Sequence, residues 1–269
     1  IAGFSLLLIK RFGLKTQEIF SLISVFIIIL ISIFAFTKTL SNDIFVYSLG
    51  NWEAPFGIVL VLDQFSILMV LVTSLLAFGA LWYAISEGID KKGAHFHPLF
   101  QLQLFGLNGA FLTGDLFNLF VFFEILLLAS YSLLLHAKGE GRVKAGLHYV
   151  VINLVGSTLF LFAVGTLYGI LGTLNIADLS QKVAHLSPEN VSIVASAGLL
   201  LLIVFGLKAA MFPLYFWLPN AYGKTSAPVA ALFAIMTKVG IYSIIRVHGT
   251  IFGQNANELA FYYTPWALY

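Results

Sequence analysis

Apolar runs of about 20 residues, separated by short polar stretches, recur along the whole chain and predict a set of membrane-spanning helices. The runs fall at residues 1–9, 19–36, 65–86, 98–112, 116–135, 145–171, 191–212 and 227–247, with a ninth starting at 259–269. A short piece at 214–217 follows the proline that interrupts the seventh run. Asp63 and Asp115 stand where an N-cap would open the third and fifth runs. The fourth run is short and carries Gln101, Gln103 and Asn108. Residues 177–185, ADLSQKVAH, suit either a short amphipathic helix on the outer surface or an ordinary loop. The first run reads as the tail of a helix and not as a signal peptide, so we expect a longer parent chain.

Composition fixes the class. Of 269 residues, 60% are hydrophobic and 10% charged, against about 25% charged in a soluble domain. Mean hydropathy is +0.97. The expected fold is an all-α polytopic membrane protein forming a single membrane domain over 1–269. No cysteine is present, which excludes disulfides, thiolate metal sites and a cysteine nucleophile. The net charge of +2 matters less than its placement. Lys10, Arg11 and Lys15 follow the first run, Lys91 and Lys92 the third, Lys138, Arg142 and Lys144 the fifth, and Lys224 the seventh. The alternate loops hold only Lys38, Lys182 and, at a helix end, Arg246. The positive-inside rule places the first set in the cytoplasm and the start of the first helix outside. Tyr47 and Trp52 in the long outer loop, and Trp217 near the cytoplasmic face, suit interfacial aromatic belts.

Three charges sit well inside apolar runs: Glu124, Lys208 and Lys238. Glu124 lies ~13 Å into its helix at 1.5 Å per residue, near the bilayer centre. A lysine at that depth costs about 2.5–3.5 kcal/mol on insertion scales, so such groups face a partner or a water path. They could be a structural ion pair that locks helices together. The functional alternative is a proton relay, in which a lysine paired with a carboxylate holds its proton and releases it when the two separate. Pro213 interrupts the seventh run and leaves the carbonyl of Ala209 without its usual donor, a place for water or a cation, or only a kink. Pro219 and Pro228 mark the cytoplasmic turn.

The histidines are weaker candidates. His95, His97, His136 and His148 fall in or near cytoplasmic segments, and His248 ends the eighth run on the outer side. His148, His248 and Lys224 are kept as auxiliary relay groups, and no metal site is expected. Asn108, Asn118, Asn153, Ser157 and Thr237 are intramembrane polar groups suited to holding water or bonding between helices. There is no phosphate loop, nucleotide fingerprint, hydrolase elbow or basic nucleic-acid face.

Three segments carry a resemblance. GDLFNLFVFFEILLLASYSLLL, with Glu124, and FGLKAAMFPLYFWLPNAYGKTSAPVAALFAIMTKVGIYSIIR, with both lysines, resemble helices 5, 7 and 8 of the antiporter-like subunits shared by Mrp-type cation/proton antiporters and respiratory complex I. With YVVINLVGSTLFLFAVGTLYGILGTLNIADLSQ, the chain is most similar to the Mrp branch of that family. The resemblance implies a fourteen-helix fold of two inverted five-helix repeats. This chain would hold the first eight to nine helices, with the first repeat over 65–250 and a discontinuous helix 7 near Pro213. It also implies that Glu124 and Lys208 form a switching pair and that Lys238 passes protons toward the second half. The family's ionisable residue in helix 12 has no counterpart here. Many complex I relatives have histidine where this chain has Tyr222, which favours the Mrp branch and puts a loop-histidine role in doubt. The implied activity is exchange of Na⁺ for H⁺ by a non-enzymatic, hetero-oligomeric complex in a prokaryotic cell membrane, with no cofactor in this chain. A proton-pumping subunit of NADH:quinone oxidoreductase or a membrane hydrogenase is the alternative, and a non-transporting scaffold the third.

Overall fold

A computed structural model describes residues 1–269 except 10, 12, 42, 53, 54, 137–139, 254, 255 and 257–269. The ninth run, Lys10 and Lys138 therefore lie outside the described residues. The helices are α1 (Ala2–Ile9), α2 (Leu14–Thr39), α3 (Gln64–Ser86), α4 (Phe96–Leu112), α5 (Leu116–Leu135), α6 (Glu140–Leu171), α7 (Ile176–Ala184), α8 (Pro188–Lys208), α9 (Leu218–Lys224) and α10 (Ala227–Ser243). A π-helical turn, Ile244–His248, continues α10. Among the described residues, six helices are long and apolar enough to cross a membrane.

Local chemistry explains the helix starts. Asp63 accepts from the Ser66 amide at 2.8 Å while Ser66 Oγ accepts from the Asp63 amide at 2.9 Å, a reciprocal capping box for α3. Asp115 accepts from the Asn118 amide at 2.8 Å and opens α5. Asn175 caps α7 through the amides of Ala177 and Asp178. Proline occupies the first turn of α8, α9 and α10, where its missing N–H leaves no bond unmade. α7 is amphipathic, with Ile176, Leu179 and Val183 buried.

The helices pack α2 on α3, α3 on α4 and α10, α4 on α5, α5 on α6, and α6 on α8. Gly109 lets α4 meet α5, since a Cβ there would lie 2.1 Å from the Phe122 ring. At one end the loops are stitched together. The stretch expected only as a long outer loop forms a hairpin of β1 (Phe45–Ser48) and β2 (Val59–Leu62), paired antiparallel from Phe45 opposite Leu62. The Gly114 amide donates to Val59, and the Ile176 amide donates to Gly114. At the opposite end, Arg142 donates to the His136 carbonyl, Asp90 and His97 lie 3.3 Å apart, and Lys224 lies beside Gly141. Arg142 and Lys224, assigned to one side from loop charge, thus meet at one end.

The break after α8 differs from the proline-centred expectation. α8 stops at Lys208, and the Ala210 and Met211 amides turn back to the carbonyls of Leu207 and Gly206. This is a Schellman C-cap with Ala210 in the left-handed region at φ 53. The helix has ended before Pro213, so Pro213 is not what interrupts it. Residues 214–217 are turn, and helix resumes at Leu218. Trp217 is also displaced from its expected interfacial place: it is buried, and its indole N–H donates to the Leu207 carbonyl at 3.1 Å.

Candidate functional site

Glu124 of α5 and Lys208 of α8 are brought together by α6, which lies between them. Ser157 of α6 donates to Glu124 Oε1 and accepts from Lys208 Nζ at 3.4 Å. The direct Glu124–Lys208 ion pair implied by the sequence is absent; one hydroxyl joins the two side chains. Gly156 eases this approach, because a Cβ there would lie 2.8 Å from the end of the Leu207 side chain, which would have to shift. On the far side, Gly240 of α10 faces the Ala209 backbone so closely that a Cβ would sit 2.5 Å from its nitrogen. The two glycines hold the end of α8, with Lys208 as its last residue, between α6 and α10.

Lys208 is buried, and its Nζ lies 5.4 Å from the centre of the Phe123 ring, within cation–π range. Its position at a helix C-terminus places the charge where the helix dipole is negative. Beside it, Phe123, Tyr149, Asn153, Trp217 and Met236 line a cavity of ≈ 20 Å³, enough room for one water. Tyr149 bonds Ser130 at 2.7 Å, and Asn153 donates to the Tyr149 carbonyl at 2.9 Å.

The other candidates are not gathered here. Lys238 is exposed on the outer face of α10, and its Nζ contacts only Thr237 Oγ1, at 3.4 Å, among the described residues. Tyr222 donates to the Phe233 carbonyl. His248 is buried and bonded to the Gly198 carbonyl at 3.0 Å, so it packs inside the bundle. His148 is exposed against Phe216, and Lys224 is exposed at the end of α9. Pro213 lies in the turn beyond the α8 cap.

Sequence reasoning missed two ionic groupings. Arg246 grips Asp63 through two nitrogens, at 2.5 and 2.8 Å, and also donates to Tyr242, whose hydroxyl donates to the Phe111 carbonyl at 2.7 Å. The network ties the start of α3 to α4 and the π-turn. Burial pushes the Asp63 carboxyl up, but the bonds from Arg246 and Ser66 outweigh it and hold it below the ordinary carboxylate value. At the opposite end, Asp90 and His97 form a buried pair. The Asp63–Arg246 pair leaves no local sequence signal, because its partners stand 183 residues apart. Asp90 and His97 are only seven apart but belong to a turn and a helix start with no periodicity that would pair them.

The family model described as "NADH:quinone oxidoreductase/Mrp antiporter, TM" matches residues 113–267, which contain Glu124, Ser157 and both lysines. The chain belongs to this family. It is 55% identical over 82% of its length to the D subunit of a probable K⁺/H⁺ antiporter of Rhizobium meliloti, covering 41% of that protein. It is 42% identical over 95% of its length to the D subunit of a Na⁺/H⁺ antiporter of Alkalihalophilus pseudofirmus, covering 51% of it. A chain of the Mrp complex from Dietzia sp. DQ12-45-1b superposes with a TM-score of 0.84 at 34% identity, over 92% of this chain and 46% of that one. The antiporter-like fold is therefore shown. The chain spans about half the length of the curated relatives it matches.

Proposed function

We propose that this chain carries the proton-translocating first half of a D-type subunit in a multisubunit monovalent cation/proton antiporter. The observation that carries the reading is the Glu124–Ser157–Lys208 connection, made by three helices inside an apolar bundle. A carboxylate, a hydroxyl and an amine in series can accept, hold and pass a proton at a depth where isolated charge is costly. Lys238, exposed on α10, is the next station and faces the rest of the assembly. The basic loops lie on the cytoplasmic side of a prokaryotic cell membrane, and the Asp63 end lies outside. The relatives' names give K⁺ for one and Na⁺ for the other, so both ions belong in the assay.

The test expresses the full-length protein within its complete complex in a strain lacking its own antiporters. Everted vesicles then report cation-dependent proton movement with a pH-sensitive dye. Glu124→Ala and Lys208→Ala each abolish the signal with both Na⁺ and K⁺ while the complex still assembles. Undiminished exchange in either assembled variant would refute the relay. Co-purifying flavin and iron–sulfur proteins would assign the chain to a redox-driven complex instead.

A further inference from the structure

Serine and threonine hydroxyls inside these helices mostly bond back to their own helix. Ser32 donates to Ile28, Thr73 to Met69, Thr158 to Leu154, Thr166 to Phe162 and Ser243 to Val239. This is the usual way a membrane helix satisfies a hydroxyl. Ser157 does otherwise. It is buried, and its bonds run across helices to two ionisable side chains, with Glu124 as acceptor and Lys208 as donor. A serine hydroxyl has one proton to give and lone pairs to receive another. Both capacities are used here, in one direction.

Resting on the relay reading above, we propose that the Ser157 hydroxyl is itself a station of the proton path. Lys208 Nζ gives a proton to Ser157 Oγ as the O–H of Ser157 gives its own to Glu124. One N–H and one O–H bond break and two O–H bonds form. The outcome is a neutral amine, an unchanged serine and a neutral carboxylic acid, with no ion left on Oγ. The reverse transfer restores the charged pair. Two charges buried in an apolar bundle are thereby neutralised together, so neither is stranded. A second forward transfer requires the hydroxyl to rotate back toward Glu124, and the step is sensitive to anything that moves the end of α8.

The isosteric pair Ser157→Thr and Ser157→Val tests this, since both add the same bulk and only threonine keeps the hydroxyl. Each is made in the full-length protein within the assembled complex, with assembly read by native electrophoresis. Ser157→Thr is expected to keep exchange within about threefold of wild type. Ser157→Val is expected to lose about 100-fold or more, the low end of what a positioned proton-transfer group contributes. Exchange by Ser157→Val equal to that of Ser157→Thr, with Glu124→Ala and Lys208→Ala silent, would overturn the serine step and leave the relay standing. If all four variants exchange normally, the relay falls with it.

Discussion

Gly240→Ala offers a stringent test of how the bundle positions Lys208. The added methyl would start 2.5 Å from the Ala209 nitrogen, 2.8 Å from its Cα and 2.9 Å from its Cβ. Ordinary contacts between such atoms begin at 3.4 Å, so α10 and the end of α8 must part by about 1 Å. Backbone atoms cannot swing aside as a side chain can, and overpacking of this kind costs about 1–3 kcal/mol. The larger effect is local. Ala209 directly follows Lys208, whose bond to Ser157 is already 3.4 Å long. Moving the end of α8 by that amount, away from α10 and toward α6, displaces Lys208 from its present geometry with Ser157, and a misplacement of ~1 Å can cost on the order of 100-fold in rate. Complex assembled with Gly240→Ala should therefore show normal subunit content, a modestly lowered melting temperature and exchange reduced at least about tenfold. Gly223→Ala, where nothing lies within 4 Å of the new methyl, is the matched control. Normal exchange by assembled Gly240→Ala would show that Lys208 is not held by this contact.

Ala210→Gly should stabilise the complex by about 1 kcal/mol, because glycine takes the left-handed cap conformation without the Cβ penalty; thermal unfolding of the purified complex measures it. Arg246→Ala should cost about 2–4 kcal/mol in the same assay, since it strips a half-buried carboxylate of a two-point partner. The stability that Asp63 contributes should be complete above the unfolded carboxylate value of about 3.9 and lost as pH falls through its lower folded value. Melting curves of Asp63→Asn should lack that acid limb, and an unchanged limb would contradict the assignment. Gln103 is fully buried with neither amide atom bonded among the described residues. Gln103→Met should therefore be neutral or stabilising by about 1 kcal/mol, and a clear loss would reveal a polar role.

Helix positions are legible where capping chemistry is local. Asp63 and Asp115 announce α3 and α5 because each cap and the amide it binds are three residues apart. The expected fifth run, 116–135, coincides with α5. The hairpin is not legible: FVYS and VLVL are four-residue strands without strict polar alternation, inside a loop rich in apolar residues. For the break after α8, the residue with an obvious rule is Pro213, whereas the chain turns at Ala210. A Schellman cap normally announces itself by glycine, and alanine there hides it. Residue type alone suits Trp217 to an interface; its bond to Leu207 depends on how the chain folds back after the break.

The site shows the same division. Glu124 and Lys208 stand out because charge in an apolar run is costly wherever it lies. Ser157 is legible only as one of five polar groups suited to holding water or bonding between helices, because a hydroxyl in a helix usually satisfies itself, and only the third dimension shows that this one does not. The geometry also gives the break a purpose that a proline kink would not. Ending α8 at Lys208 sets the lysine against a negative helix terminus and the Phe123 ring, two weak and fixed attractions for its charge. Neither depends on a proton, whereas in the proposed relay Glu124 and Ser157 would respond to one. In the relay proposed above, a lysine held by constant fields and tuned by one hydroxyl would need only a small displacement of α8 to change which group carries the proton. Glycines at 156 and 240 set where that helix end can rest.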